Sequence, residues 1–167
     1  MTELLDRVLA LKHLDRAGWK RVGIASPESV AAHTWGVAWL VLALCPEDLD
    51  RDLALRLAVI HDLAEAQVGD ITPHDGISKA DKAQRESNAI ADMLQDRPDL
   101  AALWQAYEDQ TTPEARFVHD ADRLDMALQA VRYARVHGVD TGEFIQSARR
   151  DIRHPALLEV LHAAVGV

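Results

Sequence analysis

Apolar residues recur at helical spacing along almost the whole chain, and no stretch alternates polar and apolar residues long enough to make a good strand. That periodicity restricts the chain to an all-α fold. Residues 3 to 14 carry Leu4, Leu5, Val8, Leu9, Leu11 and Leu14 as one stripe. In SPESVAAHTWGVAWLVLAL, Ser26 is expected to cap a helix with Pro27 at its first position, where the missing N–H costs nothing. That helix should run to about Leu44 and stop before Pro46. DLDRDLALRLAVIHDLAEAQ predicts a helix capped by Asp48 or Asp50, continuing to about Val68 and stopped by Gly69. ISKADKAQRESNAIADMLQD gives another, ended by Pro98, and DLAALWQAYED a short one. The Thr112-Pro113 pair opens a helix that ends at Gly138, and TGEFIQSARRDI and HPALLEVLHAAV supply two more.

A chain of 167 residues fits one domain over residues 1–167, with a core buried without staples. A net charge of −9 argues against a nucleic-acid polymer or an anionic membrane as partner, since both need a basic face. The longest apolar run, WGVAWLVLALC, is about half of what a membrane span needs. The N-terminal segment lacks the uninterrupted apolar region of a signal peptide. Cys45 is the single cysteine, so no internal disulfide is possible, which suits a reducing cytoplasm. A soluble, cytoplasmic protein is expected.

Against this background VIHDLAEAQVGDITPHDGISK, residues 59 to 79, stands out. It places His61, Asp62 and Glu65 on one helical run and Asp70 just beyond it. Positions 57, 61, 65 and 68 share a helix face, so Leu57 and Val68 turn His61 and Glu65 toward the protein. Asp62 is rotated from His61 by about 100°, yet both can flank an ion beside the helix. Upstream, His33 lies in the first turns of an apolar helix; downstream, Asp120, Asp122 and Asp125 interrupt another. Two histidines and two aspartates from three helices can close around one divalent cation, and imidazole with carboxylate suits Mn, Fe, Co, Ni, Zn or Mg. The blander readings assign His13, His137 and His162 to packing or surface, and make at least one of Asp120 and Asp125 a solvated carboxylate.

His33, the adjacent pair His61-Asp62 and the distant Asp122 together resemble the H…HD…D signature of the HD-domain metal-dependent phosphohydrolases. The likeness extends to GW at 18 to 19, PESV ahead of His33, HDLAE, VGDITP, Lys79 and Lys82, and FV…D…LQA around Asp122. These resemble the 5′-deoxynucleotidase branch, which includes the eukaryotic HD-domain-containing protein 2 group and bacterial relatives, over most of residues 14 to 130. The resemblance implies a compact helical HD-domain bundle with a metal site between helices, and a homodimer. It implies His33, His61, Asp62 and Asp122 as metal ligands, Glu65 as the carboxylate that works on water, and Asp70 as a second site carboxylate. It implies that Arg16 and Trp19 contact a nucleotide. Two positions depart from the pattern: Ala32 stands where relatives carry an acid, and Lys20 and Arg21 shift the register of the basic residue after the tryptophan.

The implied reaction is hydrolysis of deoxynucleoside 5′-monophosphates, in which a divalent cation lowers the pKa of its water and neutralises phosphoryl oxygens. In KHLDRAGWKR the local excess of Lys12, Arg16, Lys20 and Arg21 over Asp15 offsets the acidity of the chain, and Arg16 or Arg21 is the expected phosphate clamp. Trp19 is expected to pack on sugar or base and to exclude a ribose 2′-hydroxyl, with a core position as the bland alternative. GDITPHDGIS is expected to loop over the substrate, with His74 and Asp75 either touching it or making a surface turn. Three alternatives remain: another small phosphate ester as substrate, a di-iron oxygenase, and a non-catalytic nucleotide sensor. The oxygenase wants extra histidines between His61 and Asp122, where only His74 and His119 occur. The sensor has no need of Glu65.

Overall fold

The computed structural model describes residues 2–166, and among them there is no strand, only an isolated bridge between Asp15 and Ser29. The helices are α1 (Thr2–Leu9), α2 (Ala17–Arg21), α3 (Val30–Leu44), α4 (Arg51–Ile60), α5 (Glu65–Val68), α6 (Lys79–Met93), α7 (Pro98–Glu108), α8 (Pro113–His137), α9 (Gly142–Asp151) and α10 (Pro155–Val165). A 3₁₀ turn, Ala10–Lys12, follows α1. Among the described residues no helix is long and apolar enough to cross a membrane.

The longest element, α8, packs against α3, α4, α7, α9 and α10 and forms the axis of the bundle. Its buried alanines, Ala115, Ala121, Ala127 and Ala130, let neighbours approach closely. Leu124 of α8, Val37 and Val41 of α3 and Leu57 of α4 are fully buried between them. The helix starts are held by side-chain caps that satisfy otherwise orphaned N–H groups. Asp50 Oδ1 accepts from the N–H groups of Asp52 and Leu53, both at 3.0 Å, and Thr112 Oγ1 accepts from Ala115 N–H at 3.1 Å. Gly138 closes α8 with φ of 69°, a left-handed conformation that glycine adopts without strain.

Two expected boundaries fall elsewhere. Helix α3 begins at Val30, capped by Ser29, and not at Pro27 after Ser26. The cause is long-range. Glu28 N–H donates to the Tyr133 hydroxyl at 2.8 Å, Glu28 C=O accepts from Arg16 N–H at 3.0 Å, and Val30 N–H donates to Leu14 C=O at 2.8 Å. These bonds hold residues 28–30 extended against the 14–16 segment.

The helix expected to continue to Val68 is also broken, because α4 ends at Ile60 and residues 61–64 form tight turns before α5. There the backbone bonds three residues back: Leu63 to Ile60, Glu65 to Asp62 and Ala66 to Leu63. Side chains three apart eclipse in such 3₁₀-like turns, so Asp62 and Glu65 stack on one side where an α-helix would splay them. Gly69, at φ of 79°, then stops α5 as expected. The N-terminal stripe is only partly used: Leu11 is buried, but Leu5 and Leu9 stay exposed.

At least one of Asp120 and Asp125 is expected to be solvated, and Asp120 is not. Its residue is 6% exposed, and its Oδ2 accepts from Arg153 N–H at 2.8 Å and His154 N–H at 2.7 Å. It thereby pins the entry to α10. Asp120→Ala should lose about 1–3 kcal/mol of unfolding free energy in urea, from the desolvated donors left unpaired, while the bound-metal content stays unchanged.

Candidate metal centre

Four side chains meet where α3, α8 and the turn after α4 converge. His33 is fully buried and His61 nearly so. His33 Nε2 lies 3.1 Å from Asp122 Oδ1 and 3.7 Å from Asp62 Oδ2; His61 Nε2 lies 3.2 Å from Asp62 Oδ2. Adjacent ligands with bonds of about 2.0–2.2 Å to one ion stand about 3.0–3.5 Å apart, so these spacings suit a shared cation. The inward nitrogens and Asp62 Oδ2 are buried without a hydrogen-bond partner in the protein. His33, His61 and Asp62 each offer an atom within 4.8 Å of the others. These residues fit a divalent metal.

The outward nitrogens are occupied, which fixes both rings. His61 Nδ1–H donates to Ala58 C=O at 2.8 Å, and His33 Nδ1–H to Asp125 Oδ2 at 2.7 Å. With the proton on Nδ1, the Nε2 lone pair of each ring turns inward, as a metal-ligating imidazole requires. Asp125, like Asp120, is therefore no solvated carboxylate.

Sequence reasoning missed this partner and the residue that admits it. A Cβ added to Gly36, one turn after His33, would lie 2.2 Å from Asp125 Oδ1. Only a glycine there lets the α8 carboxylate reach the α3 imidazole. Glu28, His33 and Asp125 also lie within 4.8 Å of one another. Asp125 is committed to His33 Nδ1, however, and Glu28 Oε1 to the Trp19 indole N–H at 2.9 Å, so this second group orients and does not bind.

The local electrostatics favour a cation. Burial and the Arg16 guanidinium oppose a charge on His33, but Asp122 and Asp125 outweigh them and lift its pKa to about 10. Burial alone would raise the Asp62 carboxyl, yet His61, His33 and Arg16 hold it well below its ordinary value. Glu65, 5% exposed, goes the other way: burial first, then Asp62 and Asp70, push its pKa well above the usual carboxylate range.

A cavity of about 270 Å³ opens onto Asp62, Glu65 and Asp122 and is walled by α2, the loop after Gly69 and α9. Arg16 sits at its floor, 3.7 Å from both Asp62 Oδ2 and Asp70 Oδ1. Asp70 Oδ2 accepts from Ala17 N–H at 2.7 Å, which ties the loop to α2. Trp19 borders this cavity but is almost wholly buried. It is 2% exposed, packed on Tyr133 and Phe144, with its N–H on Glu28. At the mouth Arg21 pairs with Glu143, and His74 Nε2 lies 3.4 Å from Glu143 Oε2. Lys20 points away to Asp15 at 2.8 Å, and Asp75 folds back onto Thr72 as a surface turn.

The family model described as HD domain matches residues 8–158 of the chain. The chain belongs to the HD-domain family. Among HD-domain relatives, the 5′-deoxynucleotidase HDDC2 of Danio rerio is 36% identical over 168 residues, covering 96% of this chain and 84% of the relative. A conserved hypothetical protein from Pyrococcus furiosus superposes with a TM-score of 0.86 at 29% identity over 100% of both chains. A protein described as a predicted metal-dependent phosphohydrolase, from Magnetospirillum magnetotacticum, superposes with a TM-score of 0.74 at 26% identity, over 99% of this chain and 89% of that one.

The tie between Asp125 and His33 has a measurable consequence. Asp125→Asn and Gly36→Ala should each weaken metal binding about 10–100-fold in chelator competition, with helical circular dichroism retained. Unchanged affinity in both variants would mean that Asp125 has no hold on the ligand.

Proposed function

We propose that this HD-domain protein is a metal-dependent phosphomonoesterase that hydrolyses deoxynucleoside 5′-monophosphates to deoxynucleosides and phosphate. The observation that carries the reading is the set of inward, unpartnered atoms of His33, His61 and Asp62, of which Asp62 borders, with Glu65, a cavity that also holds Arg16. The name of the Danio rerio relative supports the substrate class.

His33, His61, Asp62 and Asp122 would hold one divalent cation, of the Mn, Co, Mg, Zn, Fe or Ni type. Bound there, it supplies a water of lowered pKa and neutralises phosphoryl oxygens. Glu65 takes a proton from the attacking water, a role that its raised pKa suits. The new oxygen–phosphorus bond forms as the bond to the 5′-oxygen breaks, and that oxygen takes up a proton as the nucleoside leaves. Arg16 is the phosphate clamp. It is preferred to Arg21 because it reaches the floor while Arg21 is engaged by Glu143. Asp70 is bonded to Ala17 and faces Arg16, which favours orienting that guanidinium over acting as an acid. Trp19 forms a rigid wall beside the sugar.

Metal-stripped protein reloaded with each cation should release phosphate from deoxynucleoside monophosphates in preference to the ribo series. Glu65→Ala should lower kcat by about 10²–10⁴-fold. Arg16→Met should raise KM by about 10–100-fold, for the loss of a charge-assisted contact. No release with any metal, from protein that binds one, would sink the nucleotidase reading and move the assignment to another phosphate ester.

The homodimer has a candidate surface. Trp35 and Trp39, 69% and 55% exposed, stack with ring centroids 6.4 Å apart on the outer face of α3, and Leu42 extends the row. Tryptophans this exposed are costly to leave in water and are enriched where proteins meet. Trp39→Glu should convert a dimer to a monomer in light scattering; an unchanged mass would clear this face of the role. A cytoplasmic location accords with the lone, buried Cys45.

A further inference from the structure

The metal centre has a second cavity. About 200 Å³ in volume, it shares Asp62, Glu65, Lys82, Asp122 and Arg123 with the first, but its remaining walls come from His61 and Ala64 in the turn after α4, from α6, from α7 and the loop after it, and from His119 of α8. Helix α8 shows how the two lie. Met126 borders only the first cavity, His119 only the second, and Asp122 stands between them and borders both. Seven residues of helix span about 10 Å, so the cavities lie on either side of the Asp122 carboxylate.

The second cavity is made for water and not for a nucleotide. It lacks Arg16; its one guanidinium, Arg123, is shared with the first cavity and lies 3.9 Å from Asp122 Oδ2, and its large aromatics are the buried Trp104 and Tyr107. Glu86 and Glu108 line it, and Lys82 is already 3.4 Å from Glu86 Oε1, so a phosphate dianion meets more repulsion than attraction there. Besides Arg123 Nε and the metal-facing His61 Nε2 and Asp62 Oδ2, two lining polar atoms find no partner among the described residues: the Trp104 indole N–H, on a residue 3% exposed, and Glu65 Oε2, on a residue 5% exposed. One is a donor and the other an acceptor. Buried polar groups of this kind are normally satisfied by ordered water, and the volume holds several molecules.

We infer that this second cavity is the water chamber of the hydrolase, delivering the attacking water to Glu65 from the side of the metal centre away from the nucleoside. The inference rests on the phosphomonoesterase reading. In phosphoryl transfer the attacking and leaving oxygens lie roughly in line across phosphorus. With the nucleoside and its 5′-oxygen in the first cavity, the nucleophile comes from the opposite side. Glu65 borders both cavities and can take the proton of a water that arrives from the second. Substrate and water then enter by separate doors, and the acidic lining keeps substrate out of the second.

Two measurements test this. In nitrogen-15-labelled protein loaded with diamagnetic Zn or Mg, water protons should transfer magnetisation to the Trp104 indole N–H, assigned by its loss in Trp104→Phe. An indole that receives none lies in a dry cavity and overturns the proposal. In the second, His119→Trp puts bulk into the chamber from a wall that the first cavity lacks. Its kcat should fall at least about tenfold, with KM and bound-metal content held at wild-type values. An unchanged kcat, or a KM that rises with it, overturns the proposal. If wild-type protein hydrolyses no nucleotide at all, the functional reading fails instead, and the indole measurement still decides whether the cavity is wet.

Discussion

The close approach of α8 to α3 at Gly36 is the constraint on which the rest of the centre depends. Without a side chain at that position, Asp125 reaches across the helix interface to His33 Nδ1. That one bond sets the tautomer of a fully buried imidazole and turns its other nitrogen toward Asp62 and Asp122. The same approach brings Asp122, one turn before Asp125 on α8, into range of His33. Helix packing and ligand geometry are thus one constraint, and the run of buried alanines on α8 serves both.

Concentrating carboxylates in the interior of a chain of net charge −9 is costly unless each finds a compensating charge. The centre finds two. Arg16 is held against Asp62 and Asp70, and the histidines face the carboxylates wherever a cation does not. Arg16 is kept there by its own backbone, since its N–H is bonded to Glu28 C=O. A positively charged side chain so confined offsets the acids beside it and borders the cavity.

Much of this was legible in the sequence, for reasons that are local. Caps at Asp50 and Thr112 and stops at Gly69 and Gly138 act through neighbouring N–H groups and backbone angles, so spacing alone predicts them. The H…HD…D pattern names residues that the fold does gather. What failed was decided at a distance. Ser26-Pro27 has all the local marks of a helix start, but bonds from Glu28 and Val30 to Tyr133 and Leu14 override them. The break after Ile60 leaves no mark, since HDLAE has good helical propensity; its tight turns are visible only as backbone bonds. A solvated position for at least one of Asp120 and Asp125 is the expectation because nothing in one sequence shows which helix faces each. Nor does one sequence show that Asp125 approaches α3 at Gly36.

Glu28 shows how far such long-range wiring extends. In PESV it reads as an ordinary polar residue in the first turn of a helix. In the fold its side chain accepts the Trp19 N–H, its backbone N–H reaches Tyr133 and its carbonyl holds Arg16. Its carboxylate also lies within 4.8 Å of the His33 and Asp125 pair. One residue therefore positions the two side chains assigned to the nucleotide and borders the pair that orients a metal ligand. The bland reading of Trp19 as core and the functional one as pocket wall are then compatible. The indole is 2% exposed and its N–H is bonded to Glu28, so the part of it that borders the cavity is held in place by packing and by that bond.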